Sequence, residues 1–332
     1  MIRKLILCIY ILSISALSYS QNYKSKLIGS WIKVNATYNS GKELPLNHSI
    51  NQLYFRIEFK TNGKAYKSFN PFDKGYIFDY STVGNNLKIG IINYKIDYSV
   101  KDSLILIEEG TNGFDDAAIK YFLIPEGNYQ NKLLLTSDMI IKEGEDSIFV
   151  ESEKIRASFN KEESFHEFLK NNITEYSKVI SSDNFFLATF IIRPNCSIDS
   201  ININRGINKS FDSQFIKAVK NSSKYWTPAK LDNKDVSVLH TEIFNFISHP
   251  KFEKQYYNYR DGFFAMQRGE YNKAISLFNI CIEIDPEDKN ALYQRGFCYY
   301  KLDNLENACN DWRNIKYLKS NMADNLINEI CK

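Results

Sequence analysis

The first third of the chain alternates apolar and polar residues in short runs separated by turn signals. Leu53–Phe59 alternates and is rich in aromatic residues, and Asn62-Gly63 follows before the next run, Ala65–Phe69. Asn-Gly between two alternating runs is a strong hairpin signal. Similar runs follow at 76–80, 87–92, 94–100, 103–107 and 118–124. Together they predict an antiparallel barrel or sandwich over residues 21–125.

The middle of the chain mixes two periodicities. Apolar residues recur at helical spacing over Glu163–Ile173 and Asp212–Asn221, whereas Phe186–Ile192 and Val236–Phe246 are typical of strands. This mixture predicts a small α+β domain over residues 160–247.

Residues 126–159 give a weaker pattern. Two strand-like runs surround Gly144, one from Lys132 to Thr136 and one from Asp146 to Phe149. They either complete the preceding β-domain or connect it to the next one.

A 34-residue period marks the last quarter of the chain. Two small residues and one aromatic residue recur after 34 positions. They are Gly262, Ala274 and Phe278, followed by Gly296, Ala308 and Trp312. This pattern resembles tetratricopeptide repeats. It predicts two repeats over 255–322 and a cap helix over 323–332, so the predicted fold class is multidomain α+β ending in all-α repeats.

The N-terminus has the pattern of a secretory signal. Arg3 and Lys4 precede the apolar stretch Leu5–Leu17, and Ser18-Tyr19-Ser20 offers small residues at a cleavage site. We expect residues 1–20 to be removed by a cut before Gln21, which predicts a periplasmic or secreted protein without a membrane span. The alternative is that the apolar stretch stays as an anchor, although it is shorter than the roughly 20 residues that a spanning helix needs.

Net charge changes the picture little. The 332 residues carry a formal charge of +3, and removing Arg3 and Lys4 leaves +3 − 2 = +1. A nearly neutral chain gives no reason to expect nucleic acid or anionic lipid as a partner.

The β-domain resembles lipocalin-like domains of extracellular bacterial proteins. Gly29-Ser30-Trp31 matches their Gly-x-Trp opening, and the hairpin series, including Gly84-Asn85-Asn86-Leu87, fits the same group. The resemblance implies that Trp31 packs in the barrel. It also implies either a small apolar ligand inside the barrel or a filled barrel that acts as a spacer.

The α+β domain resembles the C-terminal domain of TonB-type proteins. Trp226-Thr227-Pro228-Ala229 matches the family's Trp-x-Pro-Ala, whereas Cys196 and Asp235 lie near positions where the family has glycine. The chain has no long Pro-rich spacer of the kind that TonB-type transducers carry. The resemblance therefore does not imply that this chain drives energised transport.

The TonB resemblance implies an edge strand that binds a partner's peptide by β-augmentation. The candidate residues are Val236, Val238 and His240. The alternative is a strand already covered by its neighbours.

The sequence contains no recognisable catalytic constellation. The four histidines, His48, His166, His240 and His249, lack metal-ligand spacing, and no nucleotide-binding loop or nucleophile elbow is present. We therefore expect neither an enzyme nor a cofactor or metal. Cys309 and Cys331 either form a disulfide that staples the cap helix or remain free, and an exported protein permits the bond.

Binding is therefore the predicted function. We expect a scaffold or adaptor in the periplasm of a Gram-negative bacterium, whose repeat groove binds a protein such as an outer-membrane receptor or envelope protein. The candidate groove residues are Tyr259, Arg260, Tyr293 and Arg295, while packing between repeats is the alternative for each. The other hypotheses are a TonB-like transducer or accessory in receptor-linked transport, and a carrier of a small apolar ligand in the barrel.

Overall fold

A computed structural model describes residues 24–72, 74–100, 102–144, 146–180 and 182–331. The chain divides into two compact units. The first runs to Leu134 and includes Ser152–Lys154, and the second contains Leu135–Glu151 and the chain from Ile155 onward. The predicted signal segment, 1–20, lies outside the described residues.

Eight antiparallel strands close into a barrel in the first unit. They are β1 Gly29–Tyr38, β2 Arg56–Phe59, β3 Lys64–Ser68, β4 Tyr76–Val83, β5 Asn86–Ile89, β6 Ile92–Val100, β7 Ser103–Glu108 and β8 Ile119–Pro125. β8 closes the barrel by pairing with β1 from Trp31↔Pro125 to Tyr38↔Ile119. The helical segments of this unit are α1 (24–27), α2 Ser49–Gln52 and α3 Glu126–Lys132. The alternating runs thus form a barrel, one of the two architectures that they predicted.

Inward-facing side chains form an apolar core inside the barrel. Successive residues of a strand point to opposite faces, and the inward-facing Ile57 and Phe59 of β2 are at most 1% exposed. Trp31 is also buried, and its Nε1 donates a hydrogen bond to the Leu27 carbonyl at 2.7 Å. Trp31 therefore belongs to the core.

The second unit is built on a mixed sheet. Its strands lie in the spatial order β13 Ile198–Arg205, β12 Phe185–Ile192, β16 Lys234–Asn245, β10 Asp146–Val150 and β9 Ile140–Glu143, and β15 Ala229–Leu231 also pairs with β16. β10 and β16 run parallel, and the other neighbours run antiparallel. A separate pair joins β11 Ser158–Phe159 to β14 Trp226–Thr227.

β12 is buried along its whole length, because helices cover both faces of this sheet. Phe186 and Phe190 pack among residues of α4 Phe165–Asn172, α5 Tyr176–Val179 and α6 Lys209–Ser222. On the opposite face, Phe185 and Leu187 share a core with the C-terminal helices. A strand with helices on both faces is expected to be apolar throughout, and Phe185–Ile192 is nearly so.

The C-terminal helices form two consecutive pairs. The first pair is α7 Pro250–Gln267 and α8 Tyr271–Ile284, the second is α9 Lys289–Lys301 and α10 Leu305–Tyr317, and α11 Asp324–Ile330 follows. A disulfide joins Cys309 to Cys331, with 2.01 Å between the sulfur atoms. The predicted multidomain α+β fold is confirmed, although the regions predicted as separate domains at 160–247 and 255–322 lie in one unit.

Within residues 126–159, β9 and β10 form a hairpin in the sheet of the second unit, whereas Lys132–Thr136, predicted as a strand, forms none. This hairpin corrects the prediction of an open edge at β16. Val238 pairs with Ile192 of β12 on one side and with Phe149 of β10 on the other. Val236 pairs with Ala229 of β15. The strand is therefore interior at Val238, because the connecting segment supplies the strand that covers it.

Candidate functional site: the aromatic face of α9

Side-chain caps begin both helices of the second pair. Asp288 caps α9 by accepting hydrogen bonds from the backbone N–H groups of Asn290 and Ala291, both at 3.1 Å. Asn304 caps α10 by accepting one from the Asn307 N–H at 3.2 Å. Such side-chain acceptors satisfy the unpaired donors of a first helical turn, so the local sequence itself starts these helices.

Glycine lets the helices of each pair approach closely. A Cβ placed at Gly296 would lie 2.6 Å from Trp312 Nε1, and one at Gly262 would lie 3.1 Å from the Phe278 ring. Gly262 thus faces Phe278 and Gly296 faces Trp312. The second contact repeats the first one 34 residues later in the chain.

The first pair uses its outer aromatic residues to dock on the sheet. Tyr259 and Phe263 of α7 are 0% and 1% exposed. The Tyr259 ring lies 5.2 Å from the Phe185 ring, and its hydroxyl donates a hydrogen bond to the Asn204 carbonyl at 2.9 Å. The structure therefore corrects the prediction that Tyr259 lines an accessible groove, because the sheet already occupies this position.

The equivalent positions of the second pair remain partly open. Tyr293 and Phe297 of α9, 34 residues after Tyr259 and Phe263, are half-buried, as is Tyr300. Lys301 is exposed, with Nζ 5.2 Å from the centre of the Phe297 ring and 6.0 Å from that of Tyr300. We call Tyr293, Phe297, Tyr300 and Lys301 the α9 face. Burial raises the pKa of Tyr293, so its hydroxyl remains a neutral hydrogen-bond donor.

The two predicted groove arginines have different roles. Arg295 is bidentate to Asp311 at 2.8 and 2.6 Å, and its Nη1 donates to Asn279 Oδ1 at 2.7 Å. It thus ties α9 to α10 and α8, which corrects its assignment to the groove. Arg260 pairs with Asp261 at 2.7 Å and stacks on Tyr257 with 5.1 Å between Cζ and the ring centre.

A buried ionic network, which sequence reasoning missed, anchors the first pair. Arg205 Nη1 donates to both carboxylate oxygens of Asp288, at 2.8 and 2.9 Å, and Gln255 Nε2 donates to the same group at 2.7 Å. The Asp288 side chain is 1% exposed. An Asp before a helix signals a cap, but no local signal identifies a partner 83 residues away.

His240, predicted to bind a partner at an edge, lies inside an acidic cluster. Its Nδ1 is 2.6 Å from Glu151 Oε2 and its Nε2 is 3.3 Å from Glu242 Oε2, while His166 Nδ1 is 2.6 Å from Glu242 Oε1. Burial by itself lowers the pKa of His240, but the two carboxylates outweigh it and raise the pKa to about 10. His240 is therefore a buried cation that joins the end of β10 to β16.

The barrel also contains a buried amine. Lys67 Nζ donates to Tyr94 Oη at 2.8 Å and lies 5.5 Å from the centre of the Phe55 ring. Burial lowers the pKa of Lys67, and Glu108 opposes that shift. Burial and Glu108 both raise the pKa of Tyr94. The inside of the barrel thus offers an amine and a phenol, beside apolar walls, to a polar group of a bound ligand.

The described residues contain no group of three or more His, Cys, Asp or Glu side chains arranged to hold a metal ion. No helix within the described ranges combines the length and the apolar character needed to span a membrane.

Comparison with known proteins gives a local similarity. No family model matches the chain. A stretch of 42 residues, 13% of this chain, is 50% identical to part of the outer dynein arm-docking complex subunit 4 of Danio rerio. The match covers 9% of that protein, so its activity and partners as a whole are not carried over to this chain.

Proposed function

We propose that this chain is an exported protein-binding adaptor whose second helix pair holds the partner on the α9 face. The observation that carries the proposal is a difference in burial between equivalent positions of the two helix pairs. Tyr259 and Phe263 are covered by the chain's own sheet, whereas Tyr293 and Phe297 are half-buried and have no equivalent sheet residue in their core cluster. The 34-residue period, its resemblance to tetratricopeptide repeats and the local similarity to a subunit of a docking complex support the same role.

The intramolecular contact indicates the chemistry of the partner. Phe185 packs edge-on against Tyr259 at an interplanar angle of 65°, so an aromatic or aliphatic side chain is the expected anchor between Tyr293 and Phe297. The exposed Lys301 adds a cation at the end of the face. We therefore propose a protein segment that carries an apolar anchor with an acidic residue close by.

The experiment compares three forms of the full chain as bait in envelope extracts of its own organism. Phe297→Ser removes an aromatic residue from the α9 face, Lys301→Glu reverses its charge, and Tyr317→Ala changes a residue of α10 that is 83% exposed and lies outside the face. Any protein retained by wild type and Tyr317→Ala but lost with both face variants is then purified and titrated calorimetrically. We expect at least about tenfold weaker binding for each face variant. Equal binding by all forms would refute the proposal.

Export is part of this proposal and is tested separately. The basic start and apolar stretch of residues 1–20 favour a cleaved signal. Intact mass of the protein from its own cells is expected to begin at Gln21, and an uncleaved chain would favour an anchored form. A TonB-like role by β-augmentation at Val238 is disfavoured, because that strand is paired on both sides.

A second candidate function is carriage of a small apolar ligand by the barrel. The observation that favours it is Lys67, a 7% exposed amine beside Tyr94 and Phe55. Native mass spectrometry of wild type and Lys67→Met tests this function. A ligand carried by wild type and lost in the variant would support it, whereas a ligand-free barrel after mild purification would count against it.

A further inference from the structure

The solvent-facing side of α6 carries lysines and no acid. Phe211, Phe215 and Val219 turn the opposite side of this helix into the core beside the sheet. The exposed lysines of α6, and of the short helical turn Ser223–Tyr225 that continues it, are Lys209, Lys217, Lys220 and Lys224. We call these four residues the α6 stripe.

Helical spacing aligns the four lysines. At about 100° per residue they fall within an arc of about 100°, and at about 1.5 Å per residue the stripe is about 22 Å long. The other exposed residues on this side of α6 are Ser210, Ser213 and Asn221, which carry no charge. All four ammonium groups can therefore reach one flat surface at the same time.

The positive charge of the stripe is not neutralised within the chain. Among the described residues, none of its lysines forms an ion pair. The nearby Glu167 and Glu175 pair with Lys170 and Lys178, at 2.8 and 2.6 Å. Asp212, the acid of α6 itself, is half-buried and accepts a backbone hydrogen bond from the loop before the helix. The stripe thus keeps four unpaired positive charges.

This local charge corrects what the net charge of the chain predicts. A nearly neutral chain gave no reason to expect anionic lipid as a partner, but charges in 0.1 M salt are felt over only about 10 Å. A surface in contact with α6 therefore meets the lysines of the stripe and not the acids elsewhere in the chain.

The residue types of the stripe indicate the chemistry of its partner. All four cations are lysines, which act as mobile point charges, whereas arginine suits the fixed bidentate geometry of a protein carboxylate. None of the exposed large apolar side chains belongs to α6, and Lys224 lies 5.1 Å from the centre of the half-buried Tyr225 ring. Protein interfaces usually need an apolar or arginine anchor at their centre. A flat array of mobile anions fits this side of the helix better.

We propose that the α6 stripe binds the surface of a bilayer that contains anionic phospholipid, with α6 parallel to the surface. The ammonium groups contact headgroup phosphates, and the buried side of the helix stays in the core of the second unit. Each lysine is expected to strengthen binding about fivefold. This site is independent of the α9 face, so either proposal can fail alone.

Co-sedimentation of the full chain with vesicles tests the proposal. We expect stronger binding to vesicles of equal parts phosphatidylcholine and phosphatidylglycerol than to phosphatidylcholine alone, and salt should weaken it. The difference between the two vesicle types is the readout, because an apolar N-terminal segment would bind both.

Two double variants with the same net charge locate the site. Lys217→Gln with Lys220→Gln is expected to weaken binding to the anionic vesicles about 25-fold. Lys254→Gln with Lys316→Gln, at exposed lysines of α7 and α10, is the matched control and should bind like wild type. Glutamine favours a helix, so both variants should keep the wild-type melting temperature.

Two soluble anions separate a membrane surface from other sources of negative charge. Glycerol 3-phosphate, added at the phosphate concentration of the vesicles, is expected not to release the chain, since single phosphates do not form an array across four lysines. Release would indicate a separate phosphate site and would overturn the proposal. Binding of polyglutamate as strong as that of the anionic vesicles would assign the stripe to acidic proteins instead. Equal binding to both vesicle types, or an equal loss in both double variants, would also overturn it.

Discussion

The two units join their distant elements in different ways. In the barrel, β1 meets β8 through backbone pairing that extends from Trp31 to Tyr38. In the second unit, strand pairing also joins distant elements, but buried charges hold some of these junctions in addition. Arg205 at the end of β13 contacts Asp288 before α9, and His240 of β16 contacts Glu151 after β10.

This difference predicts that the stabilities of the two units respond unequally to substitution and to pH. Backbone hydrogen bonds tolerate many side chains, whereas a buried charge that loses its partner keeps the full cost of its desolvation. Each buried pair in the second unit thus selects which elements meet, and it also makes the unit vulnerable at that point.

The largest effect is expected for Asp288→Ala. The change leaves Arg205 buried without its carboxylate and removes the cap of α9, so we expect a loss of about 3–5 kcal/mol in the free energy of unfolding. Urea denaturation measures the loss, and hydrogen exchange is expected to place it in α7–α9 and not in the barrel. Glu287→Ala, an exposed neighbour, is the control. A loss below about 1 kcal/mol would show that the pair does not anchor the helices.

Reduction of the Cys309–Cys331 disulfide is expected to cause the second-largest loss of stability. The bond closes a segment with a sequence separation of 22, and a loop of that length corresponds to about 3 kcal/mol of stabilisation. Calorimetry with and without a reductant is expected to show a lower melting temperature for the second unit. Cys331→Ala should not respond to the reductant, and an equal response would assign the effect to another cysteine.

Alanine at the two equivalent glycines is expected to have unequal effects. Gly296→Ala brings a methyl group to 2.6 Å from Trp312, whereas Gly262→Ala brings one to 3.1 Å from Phe278. We expect a loss of about 2 kcal/mol at position 296. At position 262 we expect less than about 1 kcal/mol, because alanine favours the helix. Urea denaturation of both variants provides the comparison, and equal losses would contradict it.

The last prediction concerns the pH dependence of stability that follows from His240. Below its ordinary pKa of 6.5 the imidazole is protonated in both folded and unfolded chains, so the stabilisation from the ion pairs is complete. As the pH rises towards about 10, only the folded state keeps the proton, and this stabilisation is lost. We expect the free energy of unfolding to fall by up to about 1.4 kcal/mol per pH unit between pH 7 and 10. His240→Gln should remove this slope from the second unit, and an unchanged slope would contradict the assignment.

Local patterns in the sequence predicted much of this molecule. Alternation around Asn62-Gly63 predicted a hairpin, and the structure joins β2 to β3 there. The 34-residue period placed Gly296 and Trp312 at equivalent positions to Gly262 and Phe278, and each pair is in contact range. These features depend on residues close in sequence, whose spacing already fixes their geometry.

What local patterns could not predict depends on contacts between distant segments. Tyr259 appeared available to a partner because Phe185, the residue that covers it, precedes it by more than seventy positions. Val238 appeared to lie on an edge because the strand that covers it comes from Ile148–Val150. The residues of the α9 face were found in part, since Tyr293 was predicted, whereas Phe297 and Tyr300 were recognised only from their exposure in the folded helix pair.

The hairpin β9–β10 has a consequence for how this molecule could be divided. Leu135–Glu151 contributes strands to the second unit, yet Ser152–Lys154 belongs to the first before the chain enters the second again at Ile155. No single break in the chain separates the two units intact. A cut near Leu134 leaves Ser152–Lys154 on the wrong fragment, and a cut near Ile155 removes β9 and β10 from the sheet. A recombination event that exchanges one unit between related genes would thus need more than one crossover point in this stretch. We therefore expect the two units to be inherited together.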